Sequence, residues 1–344
     1  MQAFVCSKNQ VMTVMNKIIE PIQAIDLFCG AGGSTYGATN AGVNVVAGFD
    51  MWDLAIKAYQ TNFPKAKTFE KDLRGFTTQE IQNIHSTLGK IDLILASPEC
   101  TNHSKAKGAA ERSEESKETA FEAIRFARVI KPSWMIIENV VEFGTWDRFK
   151  DLLDDLWKLG YFVRQISLNA KDFGVPQSRE RLFLLCSLSG KTEEPVFRTK
   201  KIRPISTIID TSGKYGFTPL HKKGRAENTI KSAERAIAEL GNKSPFLLVY
   251  YGSARKGNSG WQTVDEPLGT ITTLDRFAYV APGKDGHMMR MLQPEELKKA
   301  MGFKSDYKLD ELDGMTRRDR IKLMGNGVCP PVMESLVKSL VSST

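Results

Sequence analysis

From Gln23 to about Ser187, short apolar or β-branched runs alternate with segments of helical period, and this rhythm constrains the chain more than any other feature. Strands are expected at Ala24–Phe28, Val43–Phe49, Ile91–Ala96, Met135–Glu138, Val163–Leu168 and Leu182–Leu185. Helices are expected between them at Gly33–Ala41, Leu54–Asn62, Thr78–Thr87, Glu118–Ile130 and Phe149–Leu159. Such βαβ alternation implies an α/β fold: a doubly wound, mostly parallel, Rossmann-like sheet with helices on both faces. Ligands of such sheets sit at the carboxyl ends of the strands.

After Gly190 the texture changes. Residues 191 to 285 are rich in Lys, Arg, Gly and Thr, with short strands expected at Phe246–Tyr251, Thr270–Thr273 and Ala278–Val280 and little helical period. This reads as a second, smaller region of β-structure and loops. Helical patterns return at Gln293–Met301 and Pro331–Leu340.

The first strand runs into "DLFCGAGGSTYG", residues 26 to 37. A strand, then Gly30, Gly32 and Gly33, then a helix, is a nucleotide-binding signature in which glycines let the backbone turn tightly beneath a ligand. The spacing is not G-x-G-x-x-G, which argues against a dinucleotide. The second strand ends in Asp50, placed to accept from ribose hydroxyls. Met51 follows it and can cover an adenine face through its polarizable thioether; Trp52 is the alternative. Asp72, in "KDLRG", falls where a third strand should end and is a candidate acceptor for the adenine amino group.

Five cysteines are scattered without a C-x-x-C pair or a histidine at ligand spacing, so reduced thiols and no metal site are expected. Cys100, in "SPECTNHSK" beyond the Ile91–Ala96 strand, is either a nucleophile at a strand end or a buried thiol; Cys29, Cys186 and Cys329 read as small packed residues. "ENV" at 138–140 ends the next strand, so Glu138 and Cys100 top neighbouring strands. "QSRERLFLL" at 177–185 puts Arg179 and Arg181 ahead of another strand, and "MGNGVCPPV" at 324–332 is a Gly-Asn-Gly turn into the last helix.

Together these segments, in this order from about Pro21 to Leu340, resemble the DNA cytosine-5 methyltransferases of bacteria and phages. "DLFCGAGG" resembles the family's cofactor loop, "SPEC" its nucleophile motif, "ENV" its base-binding acid and "QSRERLFLL" its arginine motif. "RMLQPEELKKAMGF" (290–303) resembles the late helix that supports the recognition region, and "GNGV" (325–328) the closing cofactor contact. The resemblance implies a catalytic region over 1–190, completed by 320–344, and a target-recognition region over 191–319. It implies S-adenosyl-L-methionine as cofactor, held by Phe28, Gly30, Gly32, Gly33, Asp50, Met51, Asp72, Leu73, Asn326, Gly327 and Val328. It implies Cys100, Glu138, Arg179 and Arg181 as the catalytic set, and restriction–modification or phage DNA protection as the setting.

C5 of cytosine is a poor nucleophile until a thiolate adds to C6, which calls for an activated cysteine. That carbon is out of reach inside a stacked duplex, so the base must be flipped out. Ser104, Lys105, Lys107 and Arg112, in the polar run 101–117, and Arg255, Lys256 and Arg276 in the second region are the candidate contacts to double-stranded DNA. The formal charge of +8 suits a polyanionic partner.

Where the family carries Pro-Pro-Cys-Gln, this chain has Pro98-Glu99-Cys100-Thr101, which places a carboxylate beside the thiol. A tRNA cytosine-5 methyltransferase and a catalytically impaired DNA-binding relative stay open as alternatives. No apolar run is long enough for a signal peptide or a bilayer span, so a cytoplasmic monomer is expected.

Overall fold

The computed structural model describes residues 21–98, 118–190, 197, 199–250 and 260–341. Among them a seven-stranded sheet forms the first layer, in the order β3-β2-β1-β4-β5-β7-β6. Its strands are β1 (Gln23–Leu27), β2 (Asn44–Asp50), β3 (Lys67–Glu70), β4 (Leu93–Ala96), β5 (Trp134–Asn139), β6 (Phe162–Asn169) and β7 (Glu180–Ser187). The first five are parallel, and β7 runs antiparallel to both β5 and β6. Helices α1 (Gly33–Asn40), α2 (Asp53–Asn62), α3 (Thr78–Leu88), α4 (Ala120–Ile130) and α5 (Phe149–Lys158) join or flank these strands.

The central strands are apolar on both faces because both faces are covered. Ile25, Leu27, Ile94 and Ala96 face one core with Phe49, Phe126 and Leu184; Ala24, Leu93, Leu95 and Ile136 face the other. The chain leaves β1 toward β2 on one side and later returns to β4 on the other. That reversal of strand order opens a crevice at the carboxyl ends of β1 and β4, where such sheets bind ligands.

A second, antiparallel sheet has the order β10-β9-β11-β12-β8, built from β8 (Thr218–Pro219), β9 (Phe246–Val249), β10 (Trp261–Thr263), β11 (Phe277–Gly283) and β12 (Gly286–Met291). Against it packs α6 (Glu227–Leu240), which buries Ala233 and Ala236 on Phe246, Leu248, Ala278 and Val280. The expectation of little helical period across 191–285 is corrected by this helix. Its inward face, Ala233, Ala236, Ile237 and Leu240, does recur at helical spacing, but inside a stretch otherwise rich in Lys, Arg and Gly. Nor is Thr270–Thr273 a strand: pairing there is limited to a single bridge between Leu268 and Gln177, and the threonine side chains bond to backbone instead.

After β12 come α7 (Pro294–Ala300), α8 (Arg317–Asn326) and α9 (Pro330–Val341). Leu297, Met301, Phe303, Tyr307, Leu312 and Met315 share one core with Ala24, Ala31 and Ala58, so the segment between the second sheet and the last helix straps across α1 and α2. The strap is fastened by polar bonds: Tyr307 donates to the Ala31 carbonyl at 2.6 Å, and Asn62 exchanges bonds with the backbone of Lys308. Helix α9 then lies on α1, with Pro330 and Met333 against Gly37. Among the described residues no helix is long and apolar enough to cross a membrane.

Candidate active site

A cleft of about 530 Å³ opens at the switch point, lined from the sheet side by Phe28, Gly30, Asp50, Met51, Trp52, Asp72, Leu73, Arg74, Ser97, Pro98, Thr119, Glu138, Arg179 and Arg181. Lys322, Leu323 and Asn326 of α8 close it from the other side. The glycine loop, the acid that ends β2, the β4 end, "ENV", the arginine motif and the late Gly-Asn-Gly turn therefore converge on one cavity.

The loop between β1 and α1 is held by the Asp50 carboxylate, which accepts from the Gly30 amide at 2.8 Å through one oxygen and from the Trp52 amide at 2.9 Å through the other. Burial pushes this carboxyl up, opposed mainly by those amides. Phe28, whose ring faces the cleft, sits at φ 58°, left-handed backbone that costs a bulky residue about 1–2 kcal/mol. Such strain collects at functional sites, where the surroundings over-determine it. Gly33 is fixed by a close approach: a Cβ there would lie 2.2 Å from the Val328 carbonyl oxygen. The C-terminal turn thus touches the loop through backbone, which only glycine permits.

Beneath the loop Asp26 is fully buried and accepts from the Thr35 hydroxyl at 2.7 Å and the Thr35 amide at 3.2 Å. Burial raises its pKa to about 7, with the nearby Asp50 adding to the rise.

Two expected cofactor contacts have partners that the sequence did not reveal. Both Asp72 oxygens are engaged by Arg74, Oδ2 by Nε at 3.0 Å and Nη2 at 2.5 Å and Oδ1 by Nε at 3.1 Å, and this cation holds the carboxyl below its usual range. Met51 is 65% exposed, while Trp52 is partly buried with the Lys322 ammonium 4.1 Å from its ring centroid. Both side chains border the cleft. Lys322 precedes Asn326 by four residues on α8, spacing that puts them on one helix face. That is the only trace Lys322 leaves in the sequence.

At the inner end, Glu138 is 6% exposed with Oε1 at 3.1 Å from the Arg181 Nε. Burial pushes the Glu138 carboxyl up, and Arg181 and Arg179 pull the other way without prevailing. Arg179 behaves differently from Arg181: its guanidinium donates to the carbonyls of Ile271, Gly325 and Gly327.

Strand β4 lies between β1 and β5, and its end is fixed from both sides. The Ser97 amide donates to the Leu27 carbonyl at 3.2 Å, and Asn139 Nδ2 donates to the Pro98 carbonyl at 3.3 Å. The chain is therefore anchored two residues before Cys100. Cys100 lies outside the described residues, as do Ser104, Lys105, Lys107, Arg112, Arg255 and Lys256. Arg276 is described, and its guanidinium donates to the Tyr250 carbonyl at 2.9 Å. Cys29, Cys186 and Cys329 are buried, which pushes all three thiols up and away from reactivity.

The description of C-5 cytosine-specific DNA methylases matches this chain over residues 22–342. The chain belongs to that family. Its members are DNA methyltransferases, and the sequence resemblance is borne out in fold, family and enzyme class. Among curated relatives, the type II methyltransferase M1.BsuMI of Bacillus subtilis is 28% identical over 343 residues, covering 90% of this chain and 78% of its own length. M.Bsp6I of a Bacillus species is 27% identical, covering 94% of this chain and 99% of its own. M.DdeI of Desulfomicrobium norvegicum is 29% identical, over 76% of this chain and 61% of its own length. Among solved structures, a putative DNA modification methyltransferase from an Escherichia coli prophage aligns with a TM-score of 0.65 at 19% identity, covering 93% of this chain and 99% of its own. The Entamoeba histolytica methyltransferase EhMeth aligns equally well at 20% identity, covering 94% and 99%. At these identities the structural likeness speaks for the fold alone.

Proposed function

We propose that this methylase transfers a methyl group from S-adenosyl-L-methionine to C5 of a cytosine flipped out of double-stranded DNA, with Cys100 as nucleophile. The observation that carries the reading is Glu138, a buried carboxyl of raised pKa paired with Arg181, on the strand beside the one that leads to Cys100.

The donor set of the cleft suits the cofactor. Phe28, Met51 and Trp52 offer apolar faces for an adenine, Asp50 keeps acceptor capacity for ribose hydroxyls, and Asn326 offers an amide to the polar end. The cofactor supplies an electrophilic methyl group, and everything else falls to the chain. The Cys100 thiolate adds to C6, and the electron pair displaced from the C5–C6 bond moves toward N3 and O2. Glu138, whose carboxyl burial pushes up, hydrogen-bonds or protonates N3. Arg181 donates to O2 and stabilises charge as it develops. C5 then carries the enamine density that alkylation needs. Loss of the C5 proton to a base and expulsion of Cys100 restore the aromatic ring.

Relatives named as type II methyltransferases support a role in restriction–modification, and with it a setting in the cytoplasm of a bacterium.

The test is nucleoside mass spectrometry on plasmid DNA from cells expressing the wild type or Cys100→Ala. 5-Methylcytosine with the first and none with the second is the expected result. Methylated DNA from both would remove Cys100 as nucleophile, and methylation confined to tRNA would overturn the substrate.

A further inference from the structure

Arg179 is 3% exposed and stands where three parts of the chain meet. Its guanidinium donates to Gly325 at 2.9 Å and Gly327 at 3.0 Å, the carbonyls on either side of Asn326 in the cleft wall, and to Ile271 at 3.0 Å. Its own amide donates to the Asn169 side chain at 3.1 Å, which fixes the guanidinium's base.

Ile271 belongs to a segment laced along the arginine motif. Ser178 donates through its amide to Leu268 at 2.7 Å, Thr270 donates through its hydroxyl to Ser178 at 2.9 Å, and the Ile271 amide donates to the Gln177 side chain at 2.9 Å. A few residues on, Asp275 pairs with Arg317 at the start of α8. The segment also touches the C-terminal turn directly, since a Cβ on Gly325 would lie 2.3 Å from the Thr272 carbonyl carbon. One planar, five-donor fork spans carbonyls from both sides of this seam. A lysine, with its donors on a single point, cannot do so.

Resting on the cofactor reading above, we propose that Arg179 is a positioning residue for the cofactor wall: it holds the Gly325–Gly327 turn, and so Asn326, against the cleft while fastening that turn to the recognition segment 268–272. Arg181 then makes the direct ion pair with Glu138, and Arg179 acts on that carboxyl only through its charge. The two arginines of one short motif divide their work, one serving the base end and the other the cofactor end.

Calorimetric titration of S-adenosyl-L-methionine into the full chain without DNA separates these roles. Wild type, Arg179→Lys and Arg181→Lys are compared, each with its thermal transition recorded. The expected result is binding at least tenfold weaker for Arg179→Lys with a cooperative transition retained, and wild-type affinity for Arg181→Lys with turnover lost. Wild-type affinity in a folded Arg179→Lys variant, with loss confined to kcat, would make Arg179 catalytic and overturn the proposal. If that variant does not fold, Gly325→Ala disturbs the same turn from the side of Thr272 with Arg179 intact; tenfold weaker binding is again expected, and unchanged affinity again overturns the proposal. Failure of the wild type to bind would refute the cofactor reading itself.

Discussion

Replacing Asp26 by Asn should remove a large part of the pH dependence of stability. Asp26 is fully buried beneath the cofactor loop, and one of its oxygens, Oδ1, finds no hydrogen-bond partner among the described residues. Its pKa rises from 3.8 to about 7 on folding. The folded state therefore holds a proton that the unfolded state has lost, and stability falls as pH rises between those two values. At 1.36 kcal/mol per pH unit, the full loss is about 4 kcal/mol, of which about 2.5 kcal/mol falls between pH 5 and pH 8. An asparagine keeps an acceptor for the Thr35 hydroxyl and amide and carries no charge to bury. Urea unfolding of wild type and Asp26→Asn at pH 5 and pH 8 measures the effect as a difference of differences, in which the contribution of the uncoupled Glu138 cancels and the smaller coupling to Asp50 is counted with Asp26. The variant should gain about 2.5 kcal/mol on the wild type between the two conditions. A gap that does not change with pH would show that Asp26 is charged in the folded protein and that the reasoning from burial is wrong.

Glu138, also raised by burial, should impose a descending limb on kcat as pH rises through its pKa, because the proton it offers N3 is then lost. Glu138→Gln should flatten that limb at a lower rate, and a pH–rate profile with the same limb in the variant would count against the assignment. Gly33→Ala should cost about 1–3 kcal/mol and weaken cofactor binding together, since the new methyl meets the Val328 carbonyl. Denaturation and calorimetry that both match the wild type would show that the two segments can part freely.

The parallel strands were legible because β1, β4 and β5 are buried on both faces and read as unbroken apolar runs. Strand β3, a four-residue edge with the sequence KTFE, has no such run and showed only through the position of Asp72 beyond it. Helix α6 was missed although Ala233, Ala236, Ile237 and Leu240 recur at helical spacing, because the flanking Lys-, Arg- and Gly-rich sequence set the reading of the whole stretch. The threonines at 270–273 favour strand by propensity, but the Thr270 hydroxyl and the Ile271 amide bond to the arginine motif and the Thr272 hydroxyl to the Leu274 carbonyl. Site residues carried by a motif were legible by resemblance. Arg74 and Lys322 were not, since each lines the cleft only through where its helix or turn happens to dock.

The contact between Tyr307 and the Ala31 carbonyl joins residues 276 positions apart, and the Gly33–Val328 approach spans more. A ribosome adding about 5–20 residues each second needs roughly 15–55 s to travel that distance. Throughout that interval the glycine loop and its buried Asp26 have been made, but the wall that covers them has not. The nascent chain thus passes through a stage in which the cleft at the switch point still lacks the side that Lys322, Leu323 and Asn326 supply.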